Sequence, residues 1–164
     1  MPESVQSSRH QELVGFIWSI ADKLRGPYRP PQYRRVMLPL IVLRRLDAVL
    51  EPTKAEVLKA KAKYEELRLT GDALEKALAK VVIGAERKQS LYNLSQYTLR
   101  GLLDDPDGLA PNLQGYINSF SVRARDIFDK FEFSKEIEKL DENNRLFLIL
   151  KEICRPDIDL SPGS

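Results

Sequence analysis

The sequence predicts an all-α protein, an irregular multi-helix bundle with a buried central helix around residues 32–50. Apolar residues recur at steps of three and four along most of the chain, which places them on one face of each helix. The first example is the series Leu13, Phe16, Ile17, Ile20 and Leu24. No segment alternates over two residues between hairpin turns, so no sheet is expected beyond one short hairpin.

The first helix is expected to end at Gly26-Pro27, because glycine accepts the left-handed terminal conformation and proline cannot extend the helix. Ser7 or Ser8 is a candidate cap for its N-terminus. Trp18 lies off the strict apolar stripe and is expected to pack at its edge.

The second helix is expected to begin at Pro30-Pro31, with Pro31 in the first turn, where the missing N–H costs no bond. Residues 36–43 are apolar on every side, which predicts the buried centre of the bundle. Pro39 should kink this helix, and Pro52 should end it.

Thr53 with Glu56 forms a candidate capping box for a charged helix that ends near Leu69. Ser121 is a candidate cap for a later helix. The remaining pattern predicts helices at 73–82, 94–103, 112–120, 122–131, 134–140 and 142–154, with a loop at 84–90 and a turn at 104–108.

The composition excludes several kinds of site. Cys154 is the only cysteine and His10 the only histidine, so a disulfide within the chain, a cysteine-rich zinc site and a multi-histidine metal site are excluded. The glycines form no phosphate-binding loop. Acidic pairs such as Asp104-Asp105 lie in turns, where aspartate bonds its own backbone. No active site is therefore expected in this chain.

The same features predict a cytoplasmic protein. Residues 1–12 are mostly polar and do not resemble a signal peptide. The longest apolar run, residues 36–43, is far shorter than the roughly 20 residues that a membrane helix requires. A single cysteine fits a reducing compartment.

Basic residues are concentrated near the N-terminus. Residues 1–50 contain eight Lys/Arg against four Asp/Glu, whereas residues 88–164 contain ten against thirteen. The basic part centres on the turn between the first two helices, and arginine forks can hold phosphates there. The candidates for DNA binding are Lys23, Arg25, Tyr28, Arg29, Arg34, Arg35, Arg44 and Arg45, with Tyr33 beside them.

Each of these candidates has a structural alternative. The charges would be solvated faces of helices, Arg44 or Arg45 would pair with Asp47 or Asp22, and Tyr28 and Tyr33 would be packing residues. A second candidate DNA surface consists of Asn112, Gln114 and Asn118, with Arg123 and Arg125 near them in the sequence. Amide side chains contact bases, but they also cap turns and helices.

Four segments carry a family resemblance: GFIWSIADKLRG, YRRVMLPLIVLRRLDAVLEPTK, NLQGYINSFSVRARDIFDKFEF and PDIDLSP. Together they resemble the N-terminal helical domain of the modification subunit of type I restriction–modification systems, over roughly residues 13–162. The resemblance implies a subunit that methylates adenine at N6 in DNA with S-adenosylmethionine. It also implies two such subunits around one specificity subunit, joined by a restriction subunit, with the helical domain enclosing DNA and contacting partners.

The chain departs from the family in one respect, because it lacks the Phe-x-Gly-x-Gly cofactor motif and the Asn-Pro-Pro-Phe/Tyr catalytic motif. We therefore expect a polar segment at 1–12, a helical domain at 13–155 and the start of a linker to a methyltransferase domain at 156–164. On this interpretation the chain alone does not methylate DNA. The alternatives are a protein-interaction domain without DNA contact and a freestanding helical regulator.

Overall fold

The computed structural model describes residues 2–68, 73–74, 76–77 and 91–155, with side chains from residue 8 onward except at residue 53. This part of the chain is helical, without strands, which confirms the all-α prediction. The helices are α1 Pro2–Leu24, a 3-10 turn Pro30–Gln32, α2 Arg34–Glu66, α3 Leu99–Leu102, α4 Leu109–Asn118, α5 Val122–Lys130, α6 Phe133–Glu142 and α7 Leu146–Ile153. Apart from 73–74 and 76–77, which are helical, the predicted helix at 73–82 and loop at 84–90 lie outside the described residues.

Helix α1 is longer than predicted and buries a narrower face. It begins at Pro2, before Ser7 and Ser8, so the serines expected to cap it lie inside the helix. It ends at Leu24, and Gly26 adopts the expected left-handed conformation with φ of +99°. The side chains of residues 8–15 are all exposed. Among the described side chains of α1, those that pack begin at Phe16, and they pack chiefly against α7.

Helix α2 continues through both of its prolines, so the prediction that Pro52 ends the helix was wrong. Proline removes one backbone hydrogen bond and crowds the preceding turn, at a cost of about 3 kcal/mol. Buried Leu50 and Val57 on either side offset that cost by packing into the core clusters. Only one face of the apolar run is buried, because Leu38 is 47% exposed.

The middle of the chain is less helical than predicted. Residues 94–98 are irregular, and α3 begins only after Thr98, whose hydroxyl accepts the Gly101 N–H at 3.0 Å. Just before this segment, Asn93 forms an isolated β-bridge with Phe120. Ser121 occupies the position before α5, but its hydroxyl accepts the Tyr92 N–H at 3.5 Å rather than capping the helix.

The last predicted helix starts later than expected. Helix α6 extends to Glu142, and α7 begins at Leu146 after a turn in which Asn144 has a φ of +57°. Asparagine tolerates this conformation better than most residues. Helices α6 and α7 are thereby packed against each other and against α2, with their apolar faces in one core.

One contiguous apolar core contains side chains from every helix from α1 to α7. An aromatic row runs through it from Tyr116 across Phe120 and Phe128 to Phe133, with ring centroids 5.2, 5.7 and 6.1 Å apart in succession. Such ring pairs add about 0.5–1.5 kcal/mol each to the burial of their surface. Among the described residues, no helix combines the length and the apolar character needed to cross a membrane.

The carboxylate of Asp47, on α2, is a polar junction within this structure. It accepts the Tyr116 hydroxyl at 2.7 Å and the Leu99 N–H at 3.1 Å, and it lies 3.5 Å from a guanidinium nitrogen of Arg44. The side chains of Arg44 and Asp47 are only 14% and 12% exposed. One carboxylate therefore connects α2 to the start of α3 and to α4.

Replacing Asp47 with alanine should destabilise the fold by about 3–5 kcal/mol, because it leaves the Arg44 charge and two donors without their acceptor. Urea denaturation followed by circular dichroism measures the change. The control is Tyr116→Phe, which removes one donor from the same carboxylate and should cost about 1 kcal/mol. Equal losses in the two variants would contradict the role of Asp47 as a shared acceptor.

Candidate nucleic-acid interface

The turn between α1 and α2 is built from short-range constraints. Gly26 reverses the chain, and the Tyr28 N–H donates to the Leu24 carbonyl at 3.0 Å. The N–H of Arg29 donates to the Gln32 side chain at 3.0 Å, and the 3-10 turn then leads into α2. We call residues 25–35 the corner.

Tyr28 holds the corner against α6. Its side chain is 3% exposed, its hydroxyl donates to a carboxylate oxygen of Glu136 at 2.5 Å, and the ammonium of Lys139 lies 4.1 Å from the ring centroid. Burial, together with the bond and the charge of Glu136, raises the pKa of Tyr28 above its ordinary value. Tyr28 is thus a packing residue, the alternative left open by the sequence, and it presents no ring to a nucleic acid.

Three arginines of the corner point outward: Arg29, Arg34 and Arg35, which we call the corner arginines. All three are exposed, and no ion pair with a described carboxylate occupies them. The first turn of α2 contains no acidic residue, and the N-terminal end of a helix carries partial positive charge. The corner therefore presents positive charge that nearby described carboxylates do not neutralise.

The other basic candidates near the corner are occupied. Lys23 lies 3.6 Å from a carboxylate oxygen of Glu152, and Arg25 lies 3.3 Å from one of Asp22. The Arg25 pair is exposed on both sides, so a competing anion can replace Asp22 at little cost.

Arg44 and Arg45 differ although they are adjacent in the sequence. Arg45 is exposed, whereas Arg44 is held by Asp47 and faces a cavity of about 120 Å³. That cavity is lined by Arg44, Asp47, Glu51, Thr98, Arg100 and Cys154. Burial raises the pKa of the Cys154 thiol to about 11, although the charge of Arg44 opposes the shift. Arg44 thus serves the interior of the domain.

Two amides of the second predicted surface bond to side chains close to them in the sequence. The amide of Asn112 donates to Asp105 at 3.3 Å, and that of Gln114 donates to Asn118 at 3.2 Å on the next turn of α4. Arg123 is exposed, and Arg125 is half-buried. Asn112 and Gln114 therefore make local bonds, and the DNA role of this surface stays a prediction.

The sequence reasoning missed an exposed apolar surface on α1. Leu13, Val14, Ile17 and Trp18 are 39%, 40%, 43% and 62% exposed, and we call them the apolar face of α1. Leu13 and Ile17 were expected on the inner stripe, but Phe16, Ile20 and Leu24 form that stripe without them. The two adjacent apolar pairs, Leu-Val and Ile-Trp, were the available signal, since such pairs cover a wider arc than one packed stripe needs.

Glu152 is a second acidic junction that sequence reasoning missed. It accepts the Ser19 hydroxyl at 2.7 Å and an Arg155 guanidinium N–H at 2.7 Å, and it pairs with Lys23. Burial alone would raise the pKa of Glu152, but the bonds from Ser19 and Arg155 and the nearby positive charges lower it below the ordinary value. This carboxylate joins α1 to α7.

Comparison with known proteins identifies a family from most of the chain. The model of the HsdM N-terminal domain matches residues 13–153. No curated protein and no solved structure matches the chain.

Replacing Glu152 with glutamine should lower the stability at neutral pH by about 1–2 kcal/mol, because charge-assisted hydrogen bonds weaken. The pKa of Glu152 is lower in the folded state, so its contribution is present above the unfolded value of 4.5 and is lost as the pH falls through the folded value. The free energy of unfolding, measured with urea as a function of pH, should therefore fall less steeply below about pH 4.5 in the variant than in the unsubstituted chain. Glu142→Gln, at an exposed position, is the control; identical acid profiles for Glu152→Gln and the unsubstituted chain would contradict this assignment.

Proposed function

The chain belongs to the HsdM N-terminal domain family, the N-terminal domain of the modification subunit of type I restriction–modification systems, and on this premise we propose that it holds DNA through phosphate contacts of the corner arginines. Membership in such a system implies partner subunits. The proposal assigns this domain a binding role and no catalytic step.

The observation that carries the proposal is the state of the corner arginines. Arg29, Arg34 and Arg35 are exposed without a described acidic partner, whereas Lys23 and Arg44 are engaged by carboxylates. A guanidinium binds phosphate through two parallel hydrogen bonds, and a phosphate here would displace water rather than a protein carboxylate. Contacts of this kind position DNA without reading its sequence.

The corner is also fixed before DNA arrives. Tyr28 is anchored by Glu136 and Lys139, and Gly26 sets the reversal of the chain. A fixed backbone loses less conformational entropy on binding than a mobile loop does. The proposal therefore rests on both the charge and the rigid support of the arginines.

In the full-length subunit we propose that this domain serves N6-adenine methylation with S-adenosylmethionine as methyl donor. The chain contains no glycine-rich cofactor loop and no Asn-Pro-Pro motif, so its residues do not fit the cofactor and methyl transfer belongs to the remainder of the subunit. The specificity subunit, a second modification subunit and the restriction subunit are the partners that this role implies.

A second candidate function, docking onto protein, is favoured by the apolar face of α1. Trp18 alone is 62% exposed, and three more apolar side chains adjoin it. Contiguous exposed apolar surface with an aromatic residue is typical of protein interaction sites. Docking and phosphate binding use different residues of this domain, so the two functions are compatible.

If three phosphates are contacted, DNA affinity should fall about 40-fold between roughly 50 and 200 mM salt. Replacing Arg34 and Arg35 with alanine should leave about one contact and reduce this fall to about fourfold. Fluorescence anisotropy with DNA duplexes of unrelated sequence measures both quantities, and the affinities should not depend on sequence.

The control is the double variant Lys59→Ala/Lys63→Ala. Both lysines are exposed on the far half of α2, so the net charge changes equally at a distance from the corner. Its salt dependence should match that of the unsubstituted chain. Equal losses of DNA affinity in the two double variants would mean that net charge alone causes the effect. Absence of DNA binding at low salt would refute the proposal.

A further inference from the structure

We propose that the cavity beside Arg44 binds a compact zwitterion, a small α-amino acid, with its carboxylate on the arginines and its ammonium group on Glu51. The cavity has a volume of about 120 Å³ and lies between α2, the start of α3 and the end of α7. None of the corner arginines lines it. The inference therefore goes beyond the proposed DNA contact and does not depend on it.

The first argument is the guanidinium group of Arg44. Its side chain is only 14% exposed, and its buried Nε has no hydrogen-bond partner among the described residues. The Asp47 carboxylate is 3.5 Å away, which is longer than an ordinary N–H···O hydrogen bond. That carboxylate also accepts the Tyr116 hydroxyl and the Leu99 N–H. Because largely buried donors are expected to have acceptors, an acceptor bound in the cavity would be stabilised by Arg44.

The second argument is that two further donors line the same cavity. The Arg100 side chain is exposed, and its guanidinium donates to the Cys154 carbonyl at 3.4 Å, which is a long bond. The Thr98 hydroxyl accepts the Gly101 N–H at 3.0 Å and has a proton of its own to donate. A carboxylate offers acceptor sites to two guanidinium groups and a hydroxyl at once, so this set of donors suits a carboxylate.

The third argument is charge. The cavity is lined by the guanidinium groups of Arg44 and Arg100 and by the carboxylates of Asp47 and Glu51, so positive and negative groups are equal in number. Glu51 is exposed and forms no ion pair with Arg100 or with another described cation. A simple anion would leave Glu51 uncompensated, whereas an ammonium group in the ligand would pair with it. The charges thus favour a zwitterion over an anion.

The volume restricts the size of the ligand. Sites for drug-sized molecules occupy about 300–1,000 Å³, and one water molecule takes about 30 Å³ in the liquid. A cavity of about 120 Å³ therefore accommodates only a few non-hydrogen atoms, as in glycine or alanine. Because so small a ligand forms few contacts, we expect a dissociation constant in the millimolar range.

Glycine is the probe, and nuclear magnetic resonance of two backbone amides measures its binding. The Leu99 and Gly101 N–H groups donate to Asp47 and Thr98, and both of these acceptors line the cavity. Titration of the chain with glycine should shift both amide signals to a saturating position. Absence of a saturable shift would overturn the proposal.

Ligands that carry one charge test the zwitterion itself. Acetate has only the carboxylate and methylammonium only the ammonium group, so each should bind about tenfold or more weakly than glycine. Acetate or inorganic phosphate binding as tightly as glycine would overturn the proposal, because the cavity would then be a site for simple anions.

Matched variants test the partner of the ammonium group. Glu51 and Glu56 are both exposed on α2, and of the two it is Glu51 that lines the cavity. Glu51→Gln should weaken glycine binding about threefold or more, because it removes the charge that holds the ammonium group, whereas Glu56→Gln should leave it unchanged. Equal affinities of the two variants for glycine would overturn the proposal.

A second matched pair tests the partner of the carboxylate. Arg100 and Arg123 are both exposed, and Arg100 lines the cavity whereas Arg123 lies on α5. Arg100→Ala should weaken glycine binding about tenfold or more, Arg123→Ala should not, and equal effects would overturn the proposal. Circular dichroism verifies that the variants fold. Loss of DNA binding with retained glycine binding would refute the DNA proposal alone, so the two failures are distinguishable.

Discussion

The largely buried carboxylate of Asp47 is the constraint on which the arrangement of this domain depends. A charge in that position is tolerated only with partners, and Arg44, Tyr116 and the Leu99 N–H supply them. These partners belong to α2, α4 and the start of α3, so satisfying one carboxylate fixes three segments together. Lys54 adds to the same region, where burial lowers its pKa and the charge of Asp47 opposes that shift.

From this junction, α2 runs back to the corner, whose position is set by a second buried polar contact. Tyr28 is anchored on α6 by Glu136 and Lys139, so the 3-10 turn and the first turn of α2 are held in place. The side chains that anchor the corner are Tyr28, Glu136 and Lys139, whereas Arg34 and Arg35 remain outside. Support of this kind would lower the entropic cost of the proposed phosphate binding, because a fixed backbone adds little to the entropy that the long side chains lose.

Local patterns predicted the all-α class and the stop at Gly26, because helix periodicity and a left-handed glycine are properties of a few neighbouring residues. The end of α2 and the exposure of individual arginines depend instead on tertiary packing. The sequence predicts that the helix ends at Pro52, because the backbone hydrogen bond that a proline removes is evident from the sequence. The burial of Leu50 and Val57, which offsets that loss, is not evident from it. For the candidate site, the sequence identified the basic segment but could not separate Arg44 from Arg45, since adjacent residues face different directions once the helix has docked.

Helix α1 carries exposed apolar side chains as well as those that pack in the domain core. Phe16, Ile20 and Leu24 complete the inner face within this domain, and nothing in that packing requires Trp18 or Ile17 to be apolar. Exposed apolar side chains of this size contribute nothing to the isolated fold and increase the risk of association with other molecules. Contiguous apolar surface that includes a tryptophan is typical of protein interaction sites. The apolar side chains of α1 thus divide into those that stabilise this domain from its core and those that lie on its surface.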